Sequence, residues 1–70
     1  MNNIKNFFLN GQFYQTSMNI TIEQILDYFN YQHEIFVIEY NDEITNKSNW
    51  KNITISNNDR IEIITIVGGG

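Results

Sequence analysis

Two short runs rich in apolar and aromatic residues come first, residues 4–9 (Ile-Lys-Asn-Phe-Phe-Leu) and 12–16 (Gln-Phe-Tyr-Gln-Thr), and both read as strands. Asn10-Gly11 separates them. That dipeptide is a strong hairpin signal, because both central positions of a type I′ turn need positive φ. A two-residue turn sets Leu9 opposite Gln12, Phe8 opposite Phe13 and Phe7 opposite Tyr14. Parity then puts Phe7, Leu9 and Tyr14 on one face, Phe8 and Phe13 on the other.

The period next changes from two to 3.6. Thr21 followed by Gln24 matches a capping box with Thr21 as N-cap, and Ile22, Ile25, Leu26 and Phe29 form one helical stripe. Glu23 in the first turn suits the helix dipole. The helix is expected to end near Asn30 or Tyr31 and to bury its single apolar face against a sheet. Residues 35–40 predict a third strand, apolar enough for the sheet interior. Asn41-Asp42 reads as a turn, Ile44 as the start of an edge strand, and residues 47–50 as a helical turn that anchors Trp50 in the core. Residues 53–55 predict another short strand, Asn57-Asn58-Asp59 a turn shaped by Asp59, and residues 60–67 a final strand. That last strand is nearly all apolar, so it is expected at the centre of the sheet. Two hairpin strands, one amphipathic helix and a central final strand define an α+β chain. The expected architecture is a β-grasp, or ubiquitin-like, fold: a mixed sheet of four to five strands with one main helix across one face.

Length and composition narrow the chemistry. Seventy residues suit one small domain, here 1–67, followed by a glycine tail at 68–70. So short a chain leaves little room for a deep cleft with several convergent polar groups, which favours binding or carrying over catalysis. The absence of cysteine excludes disulfides, thiolate metal sites and cysteine nucleophiles. Eight acidic residues against four basic ones give a formal charge of −4, too few cations for a nucleic-acid surface and compatible with a basic partner. No apolar run approaches the roughly 20 residues of a membrane span, and no signal-peptide pattern opens the chain. The expected location is therefore the cytoplasm. Frequent Asn and Ile imply AT-rich coding, which adds the plastid stroma as a second expectation.

Gly68-Gly69-Gly70 carries the candidate chemistry. Glycines lose most entropy on ordering and have no side chain to pack, so they extend beyond a strand and do not lengthen it. Extended, three of them reach roughly 10 Å. With no Cβ to widen the peptide, they can thread a narrow active site and present the Gly70 carboxylate there.

The order and spacing of several segments resemble one known family. They are Leu9-Asn10-Gly11, Thr21-Ile22-Glu23-Gln24-Ile25-Leu26, Val37-Ile38-Glu39-Tyr40-Asn41-Asp42-Glu43-Ile44, Trp50, Asp59-Arg60-Ile61-Glu62-Ile63 and Val67-Gly68-Gly69-Gly70. Together they make the chain similar to ThiS, the sulfur carrier proteins of thiamine (thiazole) biosynthesis. The resemblance implies a carrier and not an enzyme. An E1-like adenylating enzyme of the ThiF type would activate Gly70 with ATP and magnesium. Sulfur from a persulfide protein would convert the glycyl adenylate to a thiocarboxylate, and a thiazole synthase of the ThiG type would accept that sulfur. Gly68 and Gly69 would thread into the partner. ATP and metal would bind the partners, so no cofactor and no metal ligands are expected on this chain. Sulfur carriers of molybdopterin synthase or of tRNA thiolation share the tail but are usually longer between helix and strands. A β-grasp protein-binding module without tail chemistry is the alternative from another class.

Docking can be read from parity alone. Glu62 is expected to face solvent, which places Ile64 and Ile66 outward while Ile61 and Ile63 face the helix. If the first and last strands are neighbours, Phe8, Phe13, Ile64 and Ile66 form an uncovered apolar patch leading to the tail. His33 has no second ligand nearby in sequence and suggests no metal site. Glu39, Asp42 and Glu43 cluster around a turn, where a solvated loop or contact with a basic partner is the simpler reading.

Overall fold

The computed structural model describes residues 3–31 and 35–65. Strand β1 (Lys5–Leu9) and strand β2 (Gln12–Thr16) form the first hairpin, followed by helix α1 (Ile22–Tyr28). Strands β3 (Phe36–Tyr40) and β4 (Glu43–Thr45) form a second hairpin, a 3₁₀ helix spans Lys47–Asn52, and β5 (Asp59–Thr65) closes the sheet. The strand order is β2-β1-β5-β3-β4. β5 runs parallel to β1 and antiparallel to β3, so the last strand lies at the centre as expected. This mixed five-stranded sheet with one helix is a β-grasp fold.

Left-handed residues make the sharp reversals. Asn10 (φ 50°) with Gly11 (φ 80°) turns the first hairpin, and Asn41 (φ 50°) with Asp42 (φ 71°) turns the second. Both are two-residue connections with positive φ at each central position, the condition for a type I′ turn. Asn30 (φ 64°) and Asn58 (φ 70°) are left-handed as well. Asparagine tolerates this region better than most side chains, so the asparagine bias has a structural use in addition to any coding origin.

The predicted register of the first hairpin is the observed one, with Phe8 opposite Phe13 and Phe7 opposite Tyr14. Helix α1 starts with the expected capping box. The Thr21 hydroxyl accepts from the Gln24 backbone N–H at 3.2 Å, and the Gln24 side-chain oxygen accepts from the Thr21 N–H at 2.9 Å. The helix stops slightly earlier than its apolar stripe implies. Phe29 is its C-cap, and left-handed Asn30 reverses the chain so that the Tyr31 N–H reaches the Leu26 carbonyl at 2.8 Å.

The core gathers Phe7, Leu9, Ile22, Ile25, Leu26, Ile38, Trp50, Ile55 and Ile61 between helix and sheet. Trp50 anchors there as expected. Its ring stacks on Phe36 at 5.4 Å and 5°, and its indole N–H donates to the Thr45 carbonyl at 3.3 Å.

Residues 53–55 correct the expectation of a strand: only Thr54 pairs, in a single bridge to Thr21. The Ile22 N–H donates to the Ile53 carbonyl at 3.0 Å and the Ile55 N–H to the Ile20 carbonyl at 2.8 Å. Thr21 is itself extended but caps a helix, so the backbone turns helical at Ile22 and the ladder cannot lengthen in that direction. The segment instead straps the helix entry to the core.

Candidate functional site

Strand parity gives the sheet a helix-covered face and an outer face. Phe7, Leu9, Ile38 and Ile61 are buried on the first. The second carries Phe8, Phe13 and Ile64, exposed at 37%, 54% and 43%. The Phe8 and Phe13 rings meet edge to face at 5.5 Å, so the cross-strand pair organises an apolar surface that solvent still reaches.

The last strand does lie beside the first, but its register divides the expected patch. Phe8 stands opposite Arg60, while Ile64 lies four residues further along β5, opposite Val37. At ~3.3 Å per residue that separation is roughly 13 Å. On the outer face of β5, Arg60 stands level with Phe8 and Glu62 lies between Arg60 and Ile64. Ile66, Val67 and the tail glycines Gly68, Gly69 and Gly70 lie outside the described residues, as does His33.

Polar contacts fix β5 on both sides. Asp59, which begins the strand, is 5% exposed. Its carboxylate accepts from the Tyr40 hydroxyl at 2.5 Å, the Ser56 N–H at 2.7 Å and the Asn41 side-chain amide at 3.0 Å. Burial first, then the Asp59 hydrogen bond and charge, push the Tyr40 phenol from its ordinary 10.0 up to about 12. Asn41 also accepts from the Arg60 N–H at 2.8 Å through its side-chain oxygen, tying the second hairpin turn to β5.

Asn10 does the equivalent on the other side. Its backbone N–H donates to the Ile61 carbonyl at 2.9 Å, and its side-chain oxygen accepts from the Ile63 N–H at 2.8 Å. One side chain thereby continues the β1–β5 ladder after β1 has turned away. A hairpin signal in sequence reveals the turn but not this second task, which depends on how far β5 runs past Leu9.

The acidic residues around the second turn are separated. Asp42 pairs with Arg60 at 2.5 Å, both side chains exposed. Glu43 stands opposite Tyr40, on the other face from Glu39. Glu39 instead faces Glu62 across β3 and β5. Phe8, Glu39, Glu62 and the Arg60–Asp42 pair border an open concavity of about 330 Å³ on the outer face. Among the described residues, no group of three His, Cys, Asp or Glu side chains could hold a metal ion, and no helix is long and apolar enough to cross a membrane.

The architecture defines a ubiquitin-like β-grasp protein whose central strand runs toward a glycine segment. The profile of the ThiS family matches residues 7–70, and the chain belongs to that family. It is 54% identical over 66 residues to the uncharacterized protein ycf40 of Trieres chinensis, covering 94% of this chain and 90% of that one. The ycf40 proteins of Pyropia yezoensis and Porphyra purpurea are 31% and 32% identical, each over 62 residues, with 89% of this chain and 87% of theirs covered. The fold is also similar to the crystal structure of a thiamine biosynthesis protein (ThiS) from Geobacter metallireducens. The TM-score is 0.78 at 22% identity, over 93% of this chain and 99% of that one.

Proposed function

We propose that this chain is a sulfur carrier of thiamine biosynthesis, with Gly70 as the group that is activated and loaded. The observation that carries the reading is the match of the ThiS family across residues 7–70, glycines included. The geometry supports it. β5 is held at its start by Asp59 and Asn41 and further along by Asn10, and its last residue, Thr65, still pairs with Phe36 of β3.

In this reading a ThiF-type adenylating enzyme binds the outer face, with Phe8, Phe13, Ile64 and Ile66 as contacts, and takes Gly68 and Gly69 into its active site. The Gly70 carboxylate attacks the α-phosphorus of ATP, and pyrophosphate leaves. The terminal sulfur of a persulfide then attacks the glycyl carbonyl and displaces AMP, giving an acyl disulfide. A thiol cleaves its S–S bond, forming a new disulfide and releasing the thiocarboxylate, whose sulfur a ThiG-type synthase uses for the thiazole ring. Magnesium and ATP serve the partner. The chain itself is cargo bearer and not catalyst. The name ycf40, used for plastid-genome genes, supports the plastid stroma as its location.

The test is intact mass after incubation with ATP, magnesium, a persulfide donor, a thiol and the adenylating enzyme. A gain equal to one oxygen exchanged for sulfur, mapped to Gly70 and lost in Gly70→Trp, is the expected result. No gain with an enzyme that loads a known carrier would refute the proposal.

A further inference from the structure

Asn10 is the only one of the chain's twelve asparagines that precedes a glycine. That pairing has a chemistry beyond turn formation. The backbone nitrogen of a following residue can attack the side-chain carbonyl carbon of asparagine, and glycine has no side chain to obstruct it. Here both residues are exposed, and open space lies where a β-carbon on Gly11 would stand, with nothing within 4 Å. Water and base therefore reach the turn.

Within the fold, two bonds to β5 oppose the attack. The Asn10 side-chain oxygen accepts from the Ile63 N–H at 2.8 Å, and the Asn10 backbone N–H donates to the Ile61 carbonyl at 2.9 Å. Ring closure requires the Asn10 carboxamide to rotate over the Gly11 nitrogen. An oxygen held on β5 resists that rotation, and the left-handed backbone at Asn10 and Gly11, φ 50° and 80°, fixes the peptide between them. The bond to Ile63 joins residues 53 positions apart, so it exists only while β5 lies beside β1.

We propose that Asn10-Gly11 is a deamidation site gated by β5, closed while the Ile63 N–H holds the carboxamide and open once β5 separates from β1. In the open chain the Gly11 nitrogen gives up its proton to base and bonds to the Asn10 Cγ. The bond from Cγ to the side-chain nitrogen breaks, and ammonia leaves with a proton taken from solvent. Water then opens the resulting succinimide ring at either carbonyl. Attack at Cγ gives an aspartate in the ordinary main chain, while attack at the backbone carbonyl gives a β-linked aspartate with one extra main-chain carbon. One water is consumed and one ammonia released, with no oxidation or reduction.

The two products differ in what they do to the fold. The ordinary aspartate keeps an oxygen that can accept from the Ile63 N–H. The β-linked residue lengthens a two-residue turn whose register sets Phe8 opposite Phe13. Deamidation thus marks chains whose central strand has come away from β1, and its β-linked form hinders them from closing again.

The full chain is incubated at mildly alkaline pH, folded or in unfolding urea, and its asparagines are followed by peptide mapping that separates the two linkages. In urea Asn10 should react faster than every other asparagine, and roughly tenfold or more faster than in the folded chain. Tyr40→Phe loses a bond at the start of β5 without touching the turn. While folded it should deamidate at Asn10 roughly 5–30-fold faster than the parent, because the open chain is more populated. The isolated β-linked chain should melt below the parent by roughly 4–8 °C, and Asn10→Asp should stay closer to the parent. Equal rates in folded and urea-treated chain, or in folded Tyr40→Phe and folded parent, would overturn the gate. Faster reaction at another asparagine in urea would overturn the site, and a β-linked chain that melts with the parent would overturn its marking role.

Discussion

Replacing Tyr40 by Phe and Asp59 by Asn, singly and together, tests whether the buried carboxylate organises the start of the central strand. Asp59 collects three donors at 2.5–3.0 Å while almost fully buried. A hydrogen bond to a charged group contributes roughly 1.5–3 kcal/mol. Tyr40→Phe removes one such bond and leaves Asp59 with the other two, so a cost of about 1–2 kcal/mol is expected. Asp59→Asn removes the charge and turns an amide donor toward donors, at about 2–3 kcal/mol. For 70 residues the whole stability is on the order of 4–10 kcal/mol, so each loss is large. The side chains share a bond, so the double variant should cost less than the sum, with a coupling of about 1–2 kcal/mol by urea denaturation. Alkaline pH gives an independent readout. Because the folded Tyr40 pKa is raised to about 12 from 10.0, its contribution is complete below pH 10 and is lost as pH rises through 12. Two pH units correspond to at most about 2.7 kcal/mol, and solvent around the half-buried ring reduces this to the order of 1 kcal/mol. The parent should lose that extra stability between pH 10 and 12 relative to Tyr40→Phe. Additive single effects, or identical alkaline profiles for parent and Tyr40→Phe, would refute the assigned role.

Two further substitutions separate effects that a contact list merges. Asn10→Ala loses the acceptor for the Ile63 N–H and places a β-carbon residue at φ 50°, so about 2 kcal/mol is expected; Asn10→Gly removes the backbone penalty and should cost about 1 kcal/mol less in thermal or urea melts. Thr21→Ala removes the capping acceptor and should cost about 0.5–2 kcal/mol, whereas Thr21→Ser should restore most of it; equal melting of the Ala and Ser variants would remove the cap as a stabilising contact.

The features legible in sequence are those decided by local chemistry. Asn10-Gly11 sets a register through backbone sterics alone, and Thr21 with Gln24 marks a helix start through contacts three residues apart. The central place of β5 is expected from the isoleucines of residues 60–67, and the structure bears out the position while Arg60 and Glu62 keep part of its outer face polar. What escaped prediction depends on pairings between distant segments. The strand expected at residues 53–55 is cut to one bridge because its partner, Thr21, is already a helix cap. The apolar patch divides because β5 meets Phe8 at Arg60 and not at Ile64, a register that no residue of either strand announces. The opposition of Glu39 and Glu62, 23 positions apart in sequence, is invisible until the β3–β5 register is known.

The parallel pairing of β1 with β5 has a mechanical consequence. A pull on the chain beyond Thr65, opposed by an anchor before Lys5, draws these two strands past each other along their length. In that direction the bonds between them are loaded in shear and share the force, instead of opening one at a time as in a peeled hairpin. The Asn10 side chain adds its bond to the Ile63 N–H to the same loaded set. An anchor at Thr16 would leave the β1–β2 hairpin, whose strands run antiparallel, to bear force differently. The domain is thus built with a direction of tensile resistance, and that direction lies along β1 and β5.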